Sequence, residues 1–344
     1  MRIGKALITT YLLVPLSLAA NVAQAGETVE IRNFVGTINW TNGALDSQVS
    51  ENKGETKVST QGGFLIDGGL TDIDGDGCRN TYVKWSWDWG KKERNGTHGG
   101  YKNLKDYPIV DISLPEDAEL VINNAIIFAF GSPNIGSAEL DLDYCGKVIL
   151  GDIDGGLVVK ARGSADLTFG TARDADIENL GSSDVEGGDI SGDVVITSRG
   201  SGDVELGSLG SLTADIRGSG DVKTADISGD FAVGSQGSGD VESGDISGNV
   251  VIVVRGSGDV ETGSLYSDAV EVEASGSSSI DLGGGQVEDL NVKASGSSDV
   301  TVDATATKAV LRATGSSEIY VERVTGVAET KSSHSADITI DDRG

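Results

Sequence analysis

The sequence predicts an all-β chain whose greater part is a parallel β-solenoid. The expected form is a single-stranded β-helix of about ten coils of 18–20 residues, preceded by a β-rich N-terminal region that caps it. Three observations carry this expectation. First, a tetrapeptide Gly-Ser-[Gly/Ser/Ala]-acid recurs, beginning at Gly163, Gly181, Gly200, Gly218, Gly237, Gly256, Gly276, Gly296 and Gly315, and in a degenerate tenth copy His334 stands for glycine. Second, residues around each copy alternate in type: Val194, Ile196, Ser198, Gly200, Gly202 and Val204 are apolar or small, and the residues between them are mostly polar. Side chains alternate in this way along a strand, whereas a helix needs apolar residues three or four apart. Third, Gly-Asp-Ile-Ser-Gly-Asp recurs with small variations at Gly188–Asp193, Asp226–Asp230 and Gly244–Asn249, which reads as a turn between short strands. A β-sandwich of short strands would not require the same residue types at one place in every period.

Taken in order, residues 1–25 read as a secretory signal. Arg2 and Lys5 precede an apolar run from Ala6 to Ala20, and Ala23-Gln24-Ala25 is a small-x-small cleavage signal, which predicts a mature chain starting at Gly26. No other segment approaches the ~20 apolar residues that a spanning helix needs. With no membrane barrel after the repeats, delivery to a cell surface would need separate machinery. Residues 26–150 form the N-terminal β-rich region, interrupted by an insertion at about 42–106, and residues 151–344 form the repetitive solenoid. Each coil would pair with the next at about 4.8 Å. Whether Gly-Ser-Gly lines a thin coil or turns a corner is open at this level, since glycine suits both.

The acids of the tetrapeptide, Asp166, Asp184, Asp203, Asp221, Asp240, Asp259, Asp299, Glu318 and Asp337, with Ser279 as the exception, would stack as a ladder. Carboxylates about 4.8 Å apart repel by roughly 0.9 kcal/mol per pair in water and about 3.5 kcal/mol at an effective dielectric of 20, so the row must be solvated or compensated. Arg162, Arg199, Arg217 and Arg255 stand four residues before such acids and reach them only if the chain turns at Gly-Ser-Gly. Two readings of the ladder remain: a solvated row whose side chains satisfy turn amides, or a row bridged by calcium.

The insertion holds a sharper metal candidate. Asp72, Asp74 and Asp76, with Gly77 following, occupy the leading positions of an EF-hand-type calcium loop, and Asn80 falls at its ninth position. Val83 stands where the loop needs a bidentate Glu, and an ordinary Asp/Gly turn fits equally. Trp85, Trp87 and Trp89 share one face of a strand; they suit a cap over the solenoid end, and alternatively a surface that stacks on sugar rings. Lys91, Lys92, Arg94, His98, Lys102 and Lys105 form a basic loop suited to an acidic partner or another copy of the rod. The only cysteines, Cys78 and Cys145, are expected to form one disulfide in an oxidising compartment, with two buried thiols as the alternative.

Gly-Ser-Gly-Asp-Val in many copies, together with Asp111-Ile112-Ser113-Leu114-Pro115 and Glu119-Leu120-Val121-Ile122, resembles the putative auto-transporter adhesin, head GIN domain family. The resemblance runs from about Ile31 to Asp341. It implies a right-handed parallel β-solenoid on an exported bacterial protein, in a family with no established enzymatic activity.

Charge narrows the function classes. The chain carries 54 acids and 26 Lys or Arg; without residues 1–25 it has 54 acids against 24 bases, a net charge of −30. Such a surface repels nucleic acid and anionic lipid. The acids are spread evenly rather than clustered as in glycosidases, and His98 and His334 are isolated, so no catalytic residues are assigned. The expectation is an exported, periplasmic, cell-surface or secreted binding scaffold, with Ca2+ as its candidate stabilising ion and an envelope or extracellular glycan or protein as partner. A carbohydrate-active β-helix enzyme and a purely structural envelope protein are the alternatives.

Overall fold

The computed structural model describes residues 26–51, 56–60, 63–70, 73 and 107–344. They form parallel stacked coils, a β-solenoid of about 12 turns. Two ladders run the length of the rod. One contains Ile153–Ala161, Ala172–Asn179, Ile190–Ser198, Leu209–Ile216, Phe231–Ser235, Val250–Val254, Leu265–Gly276 and Gly285–Gly296, each paired in parallel with its neighbour. The other contains Ser164–Phe169, Val185–Gly187, Val204–Leu206, Val222–Thr224, Val241–Ser243, Val260–Thr262 and Ser279–Leu282, also parallel. A narrow third side is a row of single bridges, Leu209 to Ile227 to Ile246 to Leu265.

The core follows directly from the alternation. Ala175, Val194, Leu212, Phe231, Val250, Val270, Leu290 and Ala309 are successive register partners. Leu167, Val185, Val204, Val222, Val241, Val260 and Ile280 stack on the opposite wall, and all of these side chains are buried. One coil buries too few apolar groups to offset its own ordering, so the coils are stable only against each other.

Gly-Ser-Gly proves to be a corner whose third residue points inward. Gly202, Gly220, Gly239 and Gly258 are buried there, and a Cβ on any of them would overlap the backbone of the preceding coil. The later copies turn differently. Gly276, Gly296 and Gly315 adopt φ of 113°, 83° and 88°. Ser298 and Ser317, at the inward place, donate their hydroxyls to the carbonyls of Ser295 (2.9 Å) and Thr314 (3.1 Å). His334 pairs with Gly315 and holds φ of 65°, so the degenerate copy keeps a left-handed corner without glycine.

Coils continue N-terminal to the first tetrapeptide. Thr28–Asn42 pairs in parallel with Glu119–Phe130 from Thr28↔Glu119 to Asn39↔Phe130. Their corners are made by Asn33 (φ 51°) and Asn124 (φ 49°), whose side chains are joined by an amide hydrogen bond of 2.7 Å. Trp40, further along the first of these strands, is buried, and its indole N–H donates to the Gly131 carbonyl. At this end Asp46–Glu51 pairs antiparallel with Ile109–Leu114, and Lys57–Ser59 antiparallel with Phe64–Asp67. These reversed strands close the outermost edges that parallel coils would leave open.

Candidate functional site

The acid ladder is built into the backbone. Asp184 accepts the N–H of Asp203 (3.0 Å), Asp203 that of Asp221, Asp221 that of Asp240 and Asp240 that of Asp259 (2.8 Å each), and Asp259 that of Ser279 (2.7 Å). Each carboxylate therefore turns along the rod toward the next coil's amide. The charge-assisted hydrogen bond offsets the repulsion between neighbours while the other oxygen stays in solvent. Burial pushes the Asp166 carboxyl above its ordinary pKa at the start of the row. Past Ser279 the pattern stops: the amides of Asp299, Glu318 and Asp337 donate to the carbonyls of Ser278, Ser298 and Ser317 instead.

The arginines do not neutralise this ladder. Arg162 pairs with Asp141 (3.0 Å) and Asp143 (2.8 Å), and Arg217 with Asp215 (3.0 Å), while Arg199 and Arg255 form no ion pair among the described residues. The corner does turn the chain, but the carboxylates are already committed to amides. Replacing Asp221 by Ala should destabilise the chain by about 1–2 kcal/mol, because the Asp240 N–H loses its acceptor. Asp221→Asn keeps an acceptor oxygen and should cost less than half as much; denaturant midpoints of the two variants check this.

Two further acid rows come from the Gly-Asp-Ile-Ser-Gly-Asp turn. In one, Asp152, Asp189, Asp226 and Asp245 accept the amides of Thr171, Ser208, Asp245 and Ser264 (2.7–3.0 Å). The Asp152 carboxyl is held below the usual carboxylate range by the amide and hydroxyl of Thr171. In the other, Asp174 and Asp230 accept from the amides of Asp193 (3.2 Å) and Asn249 (2.9 Å), and Asp193 accepts the Ser211 hydroxyl (2.6 Å).

Next to the first of these rows lies a groove of about 740 Å³ that crosses successive coils. Ser191, Gly210, Ser228 and Ser247 line it in register, and Asp189, Asp226 and Asp245 stand along one edge. Asp154 and then Arg173 stand toward one end, and Tyr266, 57% exposed, at the other. Small side chains at one turn position in four successive coils make the depression. The result is a shallow trough with at least one hydroxyl or carboxylate in each of these coils, Ser208 standing where the others carry Asp, and with one aromatic face.

The sequence reading of the repeat acids thus locates a structural row, and it does not single out Tyr266, which occurs once and belongs to no motif. Asp72, Asp74, Asp76, Asn80, Trp85, Trp87, Trp89 and the basic loop from Lys91 to Lys105 lie outside the described residues. Cys145 is disulfide-bonded, and Cys78, its expected partner, also lies outside them. Among the described residues no group of three or more His, Cys, Asp or Glu is arranged to hold a metal ion, and no helix is long and apolar enough to cross a membrane.

The family model described as putative auto-transporter adhesin, head GIN domain, matches residues 100–226 and 231–343. No curated protein and no solved structure matches the chain.

Proposed function

We propose that this chain, which belongs to the putative auto-transporter adhesin, head GIN domain family, is an exported, non-enzymatic adhesion scaffold that holds a linear, hydroxyl-rich glycan in the groove ending at Tyr266. The groove carries the reading. A hydroxyl or a carboxylate recurs in each of its coils at about 4.8 Å, a spacing suited to successive units of an extended polymer. Tyr266 offers an aromatic face of the kind that stacks on sugar rings. The non-enzymatic part is supported by the use of the acids: those of the repeat turns accept backbone amides rather than facing one another across a scissile bond. Calcium enters the proposal at the loop of Asp72, Asp74, Asp76 and Asn80 rather than at the ladder, where one oxygen of each carboxylate from Asp184 to Asp259 already holds an amide.

An array of neutral linear envelope polysaccharides tests the reading with the mature chain. Tyr266→Ala should weaken retention at least fivefold, a loss of about 1 kcal/mol for one stacking contact. Retention lost instead in Trp85→Ala, Trp87→Ala or Trp89→Ala, with Tyr266→Ala unchanged, would move the site to the insertion. New reducing ends or unsaturated products would overturn the non-enzymatic assignment.

A further inference from the structure

The outer face of the longer ladder changes character over four successive coils. Outward positions of neighbouring coils carry charge in pairs, Asp176 with Glu178 before the window and Glu271 with Glu273 after it. Between them the outward pairs are Val195 with Thr197, Thr213 with Asp215, Ala232 with Gly234, and Val251 with Val253. The one charge, Asp215, is paired with Arg217. Val251 is 42% exposed, and a Cβ on Gly234 would meet only the Ala214 carbonyl oxygen at 3.9 Å, so the surface is flat and open. On a chain of net charge −28, eight adjoining positions with one neutralised charge are a marked departure.

The margins of this face are ordered as well. Two residues before each pair stand Asp193, Ser211, Asp230 and Asn249; two residues after each stand Arg199, Arg217, Gln236 and Arg255. All four strands are therefore polarised the same way, with acceptors at the start and donors at the end. We propose that this face is where two copies of the chain meet, the rods parallel and a two-fold axis running along them between the faces. That operation lays each coil on its own equivalent with the strand direction reversed. Arg199 then faces the partner's Asp193, Arg217 faces the partner's Ser211, Gln236 the partner's Asp230 and Arg255 the partner's Asn249, while the neutral centres pack together. A two-fold axis along the strands would set arginine on arginine instead.

The face measures about 19 Å by 20 Å from the spacings of strands and residues, on the order of 400 Å². Stable interfaces bury about 800 Å² per partner, so the contact belongs to the weak, concentration-dependent class. The marginal ion pairs fix orientation and contribute little energy. Because each copy is strongly acidic, salt should tighten the dimer by screening the long-range repulsion. A weak pair of rods would still present two grooves together and gain avidity.

Sedimentation equilibrium of the mature chain over a wide concentration range tests this. The wild type should dimerise, more tightly at high salt. Val251→Lys should weaken association about tenfold or more. Arg199→Asp should weaken it by setting like charges against the partner's Asp193, and adding Asp193→Arg to the same chain should restore it. All substituted positions point outward, and unchanged thermal midpoints would show that the variants fold. A wild type that is monomeric at every concentration and salt overturns the proposal, as does a dimer indifferent to both Val251→Lys and Arg199→Asp.

Discussion

Gly239→Ala should cost several kcal/mol, far more than one added methyl group costs on an ordinary surface, and should leave little folded protein at growth temperature. The residue is buried at the inward place of the Gly-Ser-Gly corner, and the new Cβ would overlap the Gly220 carbonyl oxygen and lie 3.0 Å from its carbon. That oxygen belongs to backbone rather than to a side chain that could swing away. The coil holding it is pinned in turn, since Asp221 next to it accepts the Asp240 amide and the Gly218 carbonyl accepts the Ser238 amide. Relief needs two coils to separate, which strains several ladder bonds at once. Gly284→Ala is the matched control: no atom lies within 4 Å of its Cβ position and its φ is not in the left-handed region, so the change should stay within about 1 kcal/mol of neutral. Chemical unfolding of both variants checks the contrast. Equal stabilities would mean that adjacent coils yield far more easily than their hydrogen bonds imply.

The same corner explains what could be read from the sequence and what could not. A period of 18–20 residues with two-residue alternation names the register partners directly, and Val222 on Val241 on Val260 is what the spacing requires. The inward glycine was legible only as one of two options, because sequence does not say which way a φ-permissive residue faces. The N-terminal coils were harder. Thr28–Asn42 and Glu119–Phe130 match in register as fully as any pair in the rod, yet Asn33 and Asn124 turn their corners in place of Gly-Ser-Gly. A short polar residue in the left-handed region does the glycine's work and leaves no motif. The acid ladder was visible, but not its partner: an extended-chain distance from Arg199 to Asp203 says nothing of an amide one coil away. Tyr266 was invisible for the opposite reason, since attention to what recurs passes over what occurs once.

Phe231→Ala should lose about 3–5 kcal/mol, the range for deleting a fully buried aromatic ring. Phe231 is 0% exposed and stacks between Leu212 and Val250, which are smaller and can close only part of the gap. Phe231→Leu refills most of the volume and should cost less than half as much. The distribution of the loss matters more than its size. In a stack each coil touches only its neighbours, so a lesion in mid-rod divides the chain into two blocks. The N-terminal block is closed by reversed strands and holds the buried Trp40, whereas the other block ends in Ala328–His334 and Asp337–Arg343, whose side chains are largely exposed. The C-terminal block should therefore open first. Amide hydrogen exchange of Phe231→Ala should show protection falling steeply in coils after residue 231 and little in coils before it. Equal loss along the whole rod would mean that the coils unfold as one cooperative unit, with the coupling between neighbours stronger than the core that this ring fills.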